Sequence, residues 1–358
     1  MFSLDTLASV WQKAWPIILA VLFFGFVIMS HELGHFSLAR IFKVKINEFA
    51  IGMGPAIFKR KGKETQYSLR LFPIGGYVSM EGEDEESCDE RAFCRKAPWQ
   101  RFLIVCAGAL INIFLGTILL SVLICQQDLV GTTQIHSFAE GSQLEASGLR
   151  AGDKIYKING RMVFSDSDLS YLMFTDTDGS LEVTVKRAGE KVTISDVRFT
   201  TVEKDGTQQI VYDMTILGVE KNPWTVGSCA VRQTASVARM VWMSLGDLIS
   251  GKYGLKDMSG PVGTVGVIAD IAEESSKSMD YSALINLMAF ISINIGVFNL
   301  LPIPALDGGR LLFIIIEMIF RKPVPAKYEN WVHAAALVLL LGFMAIITFS
   351  DIFKLVKG

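Results

Sequence analysis

Residues 20–42 read AVLFFGFVIMSHELGHFSLARIF, and the five at their centre, His31-Glu32-Leu33-Gly34-His35, decide how the rest is read. The approach to the motif is apolar apart from Ser30, so a membrane-length helix runs on into it. Helix positions four apart share a face, which lets both imidazoles meet one Zn²⁺ ion. Glu32 lies on the adjoining arc, close enough to handle a water at that metal. With a rise of about 1.5 Å per residue from Trp15, His31 falls roughly 24 Å into the span. Two histidines and a glutamate at that depth cost several kcal/mol unless they are paired or hold a metal.

Outward from the motif, the 358 residues are 51% hydrophobic, 20% charged and carry a net charge of -2. Mean hydropathy is +0.39, too apolar for an ordinary soluble domain, so the charges must sit in extramembrane parts. The net charge gives no case for nucleic-acid binding. Four spans are expected, at 15–38, 102–125, 281–301 and 331–349. The first resembles a signal-peptide core but lacks a small-residue cleavage site and is kept as a span. Asn286, Asn294 and Asn299 in the third should face other helices or a wet cavity. Residues 39–101 hold twelve Lys and Arg. Positive residues mark the cytosolic side, so 39–101 and 307–330 are expected in the cytosol, with both termini and 126–280 outside. The five cysteines show no CxxC pair and read as unpaired thiols.

Catalytic zinc needs a third protein ligand besides the two histidines. The best candidate lies in NLLPIPALDGG, residues 299–309, where Pro302 and Pro304 break the third span. Asp307 then projects from its unwound end, and irregular backbone at that depth belongs in a cavity. Asn112, between Gly108 and Gly116 at spacing four, is a possible polar group of the cleft; tight helix packing explains the glycines. His136 and His333 are expected near the outer ends of spans two and four, away from the zinc. The acidic run 81–86 reads as a solvated loop.

Residues 127–219 read as a β-rich insert: LEVTVKRAGEKVTISDVRF at 181–199 alternates around a Gly-containing turn, and Asn159-Gly160 marks another. SGLRAGDKIYKINGRMV resembles the PDZ domains of bacterial envelope proteases, which bind extended peptides along a sheet edge. The organisation expected is a first membrane half at 1–126, a PDZ-like domain at 127–219, a helical connection at 220–280 and a second membrane half at 281–358.

HELGH in the first span and N-x-x-P-x-P-x-LDG in a later one resemble the site-2 protease family of intramembrane zinc metalloproteases. The nearest likeness is the bacterial branch that includes the regulator of sigma-E protease. IGMGP at 51–55, FPIGGYV at 72–78, GALIN at 108–112 and SGPVG at 259–263 also resemble that branch, and one PDZ-like domain stands where its best-known member has two. The resemblance implies an α-helical polytopic membrane protein with four transmembrane helices and an inserted extracytoplasmic PDZ-like domain, multi-pass in a bacterial inner membrane. It implies Zn²⁺ on His31, His35 and Asp307 with Glu32 as catalytic base. A membrane-associated β segment in 45–80 would hold the substrate as an added strand, with Gly75 and Gly76 allowing close backbone approach, and Asn299 would contact it. Substrates would be single-span membrane proteins, such as an anti-sigma factor or a remnant signal peptide, with lipid and a PDZ-bound segment as other partners. Two other classes stay open on the residues alone: a peptide-binding membrane scaffold, and an ion transporter with polar groups in its helices.

Overall fold

The computed structural model describes residues 4–83, 87–174, 180–199, 201–204, 207–210, 213–251 and 260–357. In chain order the elements are α1 (Leu4–Ile41), β1 (Ile46–Lys61), β2 (Gln66–Met80), α2 (Pro98–Gln126), β3 (Val130–Phe138), β4 (Lys154–Ile158), β5 (Arg161–Met162) and α3 (Asp166–Phe174). There follow β6 (Ser180–Arg187), β7 (Glu190–Arg198), β8 (Thr201–Lys204), β9 (Thr207–Ile210), β10 (Met214–Val219) and α4 (Pro223–Ile249). The chain ends in α5 (Pro261–Ser278), α6 (Ser282–Leu300), α7 (Asp307–Phe320) and α8 (Ala326–Lys357). Two compact units result, one of residues 1–116 with 241–358 and one of residues 117–240.

Four helices are long and apolar enough to cross a membrane: α1 from Ala14, α2, α6, and α8 over Lys327–Lys354. In the first unit α1 packs on α5 and α6 through Ala20, Phe23, Val27, Ile268, Leu284 and Ile291. Lipid is as apolar as these side chains, so close fit and buried polar contacts, rather than water exclusion, hold such helices together. One such contact is Ser292 Oγ donating to the Asn112 carbonyl at 2.8 Å, which joins α6 to α2. A second cluster, with Ala39, Ile46, Val78, Ile104 and Leu311, ties the ends of α1 and β2 to α2 and α7.

Between α1 and α2, β1 and β2 form more than a hairpin. Ile46–Ile51 pairs with Gly76–Met80, while Ala56–Lys61 pairs with Gln66–Arg70. Glu48, Phe49, Ala50 and Ile51 also lie against Gln66, Tyr67, Ser68 and Leu69, with numbers rising in step. The first half of β1 is therefore an interior strand, and 76–80 is an edge. Glu48 sits inside this sheet, where its Oε1 accepts from Ser68 Oγ at 2.5 Å and from Arg70 Nη2 at 3.0 Å. Burial pushes its carboxyl up, but hydrogen bonds from Ser68, Tyr77 and Arg70 overcome this and hold it down at about 2.

The described part of the acidic run departs from the solvated loop expected. Glu81 pairs with Lys45 at 3.4 Å and accepts from Ser87 Oγ at 2.7 Å, and Glu83 pairs with Arg310 of α7. The chain leaving β2 packs back onto α7, so two of its carboxylates meet cations; residues 84–86 lie outside the described residues.

The second unit contains a mixed-order sheet, β10-β3-β4-β6-β7, with β5 paired to β4. Its hairpins close at Asn159-Gly160 and Ala188-Gly189, where backbone φ is positive at all four residues, the condition for a two-residue turn matched to strand twist. Ile135, Leu149, Ile155, Leu169, Leu181 and Val185 are fully buried, each contributing about 1.5–3 kcal/mol by leaving water. Asp168, on α3, is buried and accepts from Ser236 Oγ at 2.7 Å and from Arg239, which fastens the middle of α4 to that helix.

Candidate metal centre

One helical turn of α1 sets His31 and His35 side by side, with ring centroids 4.7 Å apart and planes at 82°. Their Nε2 atoms are 3.1 Å apart. Asp307, the first residue of α7, brings Oδ2 to 2.9 Å from His31 Nε2 and 3.1 Å from His35 Nε2. Among the described residues this is the group of three whose donor atoms converge closely enough to hold a metal ion.

Two features decide whether the arrangement fits zinc. Zinc bonds of about 2.0–2.1 Å in tetrahedral array put ligand atoms about 3.3 Å apart, close to the spacings here. Asp307 Oδ2 is buried beside both rings yet makes no properly angled hydrogen bond, as expected of an atom aimed at a shared ion rather than at a proton. The set therefore fits: two imidazole nitrogens, one carboxylate oxygen and an open side.

Supports around the site come from α2. His35 Nδ1 lies 2.9 Å from the Ile104 carbonyl, so it carries the ring proton and Nε2 is left with its lone pair toward the ion. One turn further along, Gly108 faces both rings; a methyl group there would lie 2.8 Å from His31 Nε2 and would also strike His35 Nε2. Gly34 makes the approach possible from the α1 side, its Cα hydrogens facing the Ala107 carbonyl.

Glu32 is half-buried and points to β2, where a Cβ on Gly76 would stand 3.3 Å from its Cγ. A cavity of about 380 Å³ is lined by His31, Glu32, His35, Asp307 and the edge residues Tyr77 to Met80. A larger one of about 820 Å³ adjoins Asp307 on its far side, and the Glu83–Arg310 pair lines both.

The other residues singled out from sequence fall as follows. Gly75 adopts φ 93° against Met53, one residue before Gly76. Asn299 is half-buried near the end of α6 and lines neither cavity. Asn112 is fully buried, and neither atom of its amide has a hydrogen-bond partner. It too lines neither cavity. His333 corrects the expectation that it lies at the outer end of its span: its Nδ1 accepts from the Ala305 N–H at 3.0 Å, two residues from Asp307. The helix α8 enters from the side of residues 307–330, so its first turns, not its last, meet the site. Sequence reasoning missed Ile104, Arg310 and Glu83. Arg310 had a signal, three residues past Asp307 on the same helix face; a backbone carbonyl such as that of Ile104 leaves none.

The chain resembles known proteins over most of its length. The family model for Peptidase family M50 matches residues 19–343. A putative zinc metalloprotease of Clostridium acetobutylicum is 35% identical over 337 residues, covering 94% of this chain and 97% of that protein. A putative zinc metalloprotease of Helicobacter pylori is 31% identical, covering 94% and 99%. The regulator of sigma-W protease RasP of Bacillus subtilis is 28% identical, covering 95% and 98%.

Proposed function

Since this chain belongs to peptidase family M50 and is a zinc metalloprotease of the membrane, we propose that it cuts peptide bonds in or beside the transmembrane segments of single-span membrane proteins. In this reading His31, His35 and Asp307 hold the zinc and Glu32 is the general base. The observation that carries it is the convergence of these three donors on a helix long enough to cross a membrane, with Glu32 opening on the same cavity.

When bound, zinc supplies Lewis acidity to the attacking water and to the scissile carbonyl. The Glu32 carboxylate takes the proton from that water and delivers it to the leaving amine. His31 and His35 would each present Nε2 to the metal, the latter ring oriented by the Ile104 carbonyl. A transmembrane helix hides its carbonyls in its own hydrogen bonds and must be opened before it can be cut. The edge strand 76–80 has its inner side taken by 46–51, and its residues 77–80 line the cavity beside Glu32, which supports an extended substrate adding to this edge. Gly75 and Gly76 remain proposals for close backbone approach; at Gly76 the missing side chain makes room for Glu32. Asn299 and Asn112 remain proposals for substrate contact.

In the second unit β10 is an edge strand, which supports peptide capture by a PDZ-like domain. The distribution of Lys and Arg supports an orientation with this unit and both termini extracytoplasmic in a bacterial inner membrane. A relative named as a regulator of sigma-W protease supports regulated proteolysis, with anti-sigma factors or remnant signal peptides as the substrate class.

The test is cleavage of a single-span substrate by purified protein in detergent. Wild type should cut, chelator should stop it, and zinc should restore it. Glu32→Gln should retain zinc and lose activity by a factor of about 10²–10⁴ or more; a Glu32→Gln protein that still cuts removes Glu32 from the role of base.

A further inference from the structure

The loop 301–306 between α6 and α7 delivers Asp307, and its backbone has few ways to hold itself. Pro302 and Pro304 have no N–H. Of the other four residues, Leu301 donates to the Phe298 carbonyl, Ile303 to Leu301 and Leu306 to Ile303. Ala305 instead sends its N–H across to another helix, to His333 Nδ1 on α8 at 3.0 Å. Ala305 also has φ 79°, the left-handed region that residues with a side chain rarely adopt. The cavity of about 820 Å³ opens between Ala305, Asp307 and His333, so packing does not supply the restraint on that side. The imidazole is itself steadied by Phe313 of α7, at 5.7 Å between ring centroids. For Nδ1 to accept, the ring proton sits on Nε2, the nitrogen facing Glu329 Oε1 at 4.0 Å. The first turns of α8 thus reach the zinc loop through a hydrogen bond, while only 6% of the most apolar stretch of that helix is buried.

We propose that His333 is a positioning residue: by accepting the Ala305 N–H it holds the loop in the strained turn that aims Asp307 at His31 and His35. The inference rests on the zinc assignment above. Replacing a group that orients a metal ligand typically lowers metal affinity about 10- to 100-fold.

The experiment measures zinc dissociation constants of full-length protein in detergent by chelator competition. His333→Phe keeps a ring against Phe313 but offers no acceptor, and should bind zinc about 10-fold or more weakly. His333→Gln restores an acceptor and should recover most of the loss. Ala305→Gly combined with His333→Phe should recover part of it, since glycine takes a positive φ without help. Wild-type affinity in His333→Phe overturns the proposal, as does failure of His333→Gln to differ from His333→Phe. Hydrogen exchange on the wild type guards against a misfolded variant: the Ala305 amide should be protected, and free exchange there overturns the proposal without any mutation. Asp307→Asn with undiminished zinc would instead remove the zinc assignment on which it rests.

Discussion

Gly108 shows how little space separates a metal centre from a plain helix contact. Gly→Ala in a helix interior ordinarily adds about 1 kcal/mol of helix propensity. Here the added methyl would lie 2.8 Å from His31 Cε1 and Nε2. Gly108→Ala is therefore expected to leave the helix intact, or firmer, while lowering bound zinc at least about 10-fold, as read by metal analysis of purified protein. A variant with a full zinc complement would show that the two rings have slack to move apart. The convergence of His31, His35 and Asp307 was legible in part: the four-residue spacing of the histidines fixes a shared face, and the two prolines ahead of Asp307 announce a break in the span. The role of His333 was not legible, because nothing in the residues around it shows that its ring meets the backbone of the loop ahead of Asp307.

At the scale of elements, β1 and β2 are where sequence pattern fell short. Alternation along 66–80 announces a strand and says which side chains share a face, but not which neighbour lies on each edge. The pairing of 46–51 with two segments of β2 could be seen only in the fold. Glu48 lies in that interior strand, and its carboxyl stands at about 2 against an ordinary value of about 4.3 in an open chain. A depressed pKa contributes stability that is whole above the open-chain value and fades as pH falls through the folded one. Hydrogen exchange over 46–80 should thus be flat above about pH 5 and speed up, after correction for intrinsic rates, between about pH 4 and 2. Glu48→Gln should remove that part of the acid dependence; an unchanged acid limb would place the sensitive group elsewhere.

The whole molecule divides into a unit that carries His31, His35 and Asp307 and one that carries none of them. A ligand that binds only the native form stabilises it by RT ln(1 + [L]/Kd), about 2.7 kcal/mol at a hundredfold excess over Kd. Zinc removal should therefore loosen residues around His31, Gly108 and Asp307 and leave the sheet of residues 117–240 as protected as before, measured by segment-resolved hydrogen exchange with and without chelator. Equal loosening of both units would mean that they unfold as one. The division itself was readable from hydropathy, since a β-rich charged stretch interrupts the apolar spans. The strand order of the insert was not, because alternation alone does not choose a partner.

His31, His35 and Asp307 also differ in when they are made. His35 and Asp307 are separated by 272 positions of chain. At about 5–20 residues per second, a ribosome needs roughly 14–54 seconds to travel between them. Throughout that interval the nascent protein carries His31, Glu32 and His35 in a helix already able to enter the membrane, but not yet Asp307. A zinc site that needs Asp307 is incomplete in the insertion machinery until that residue has been made. Completion of such a site is thus timed by the length of the chain between two residues.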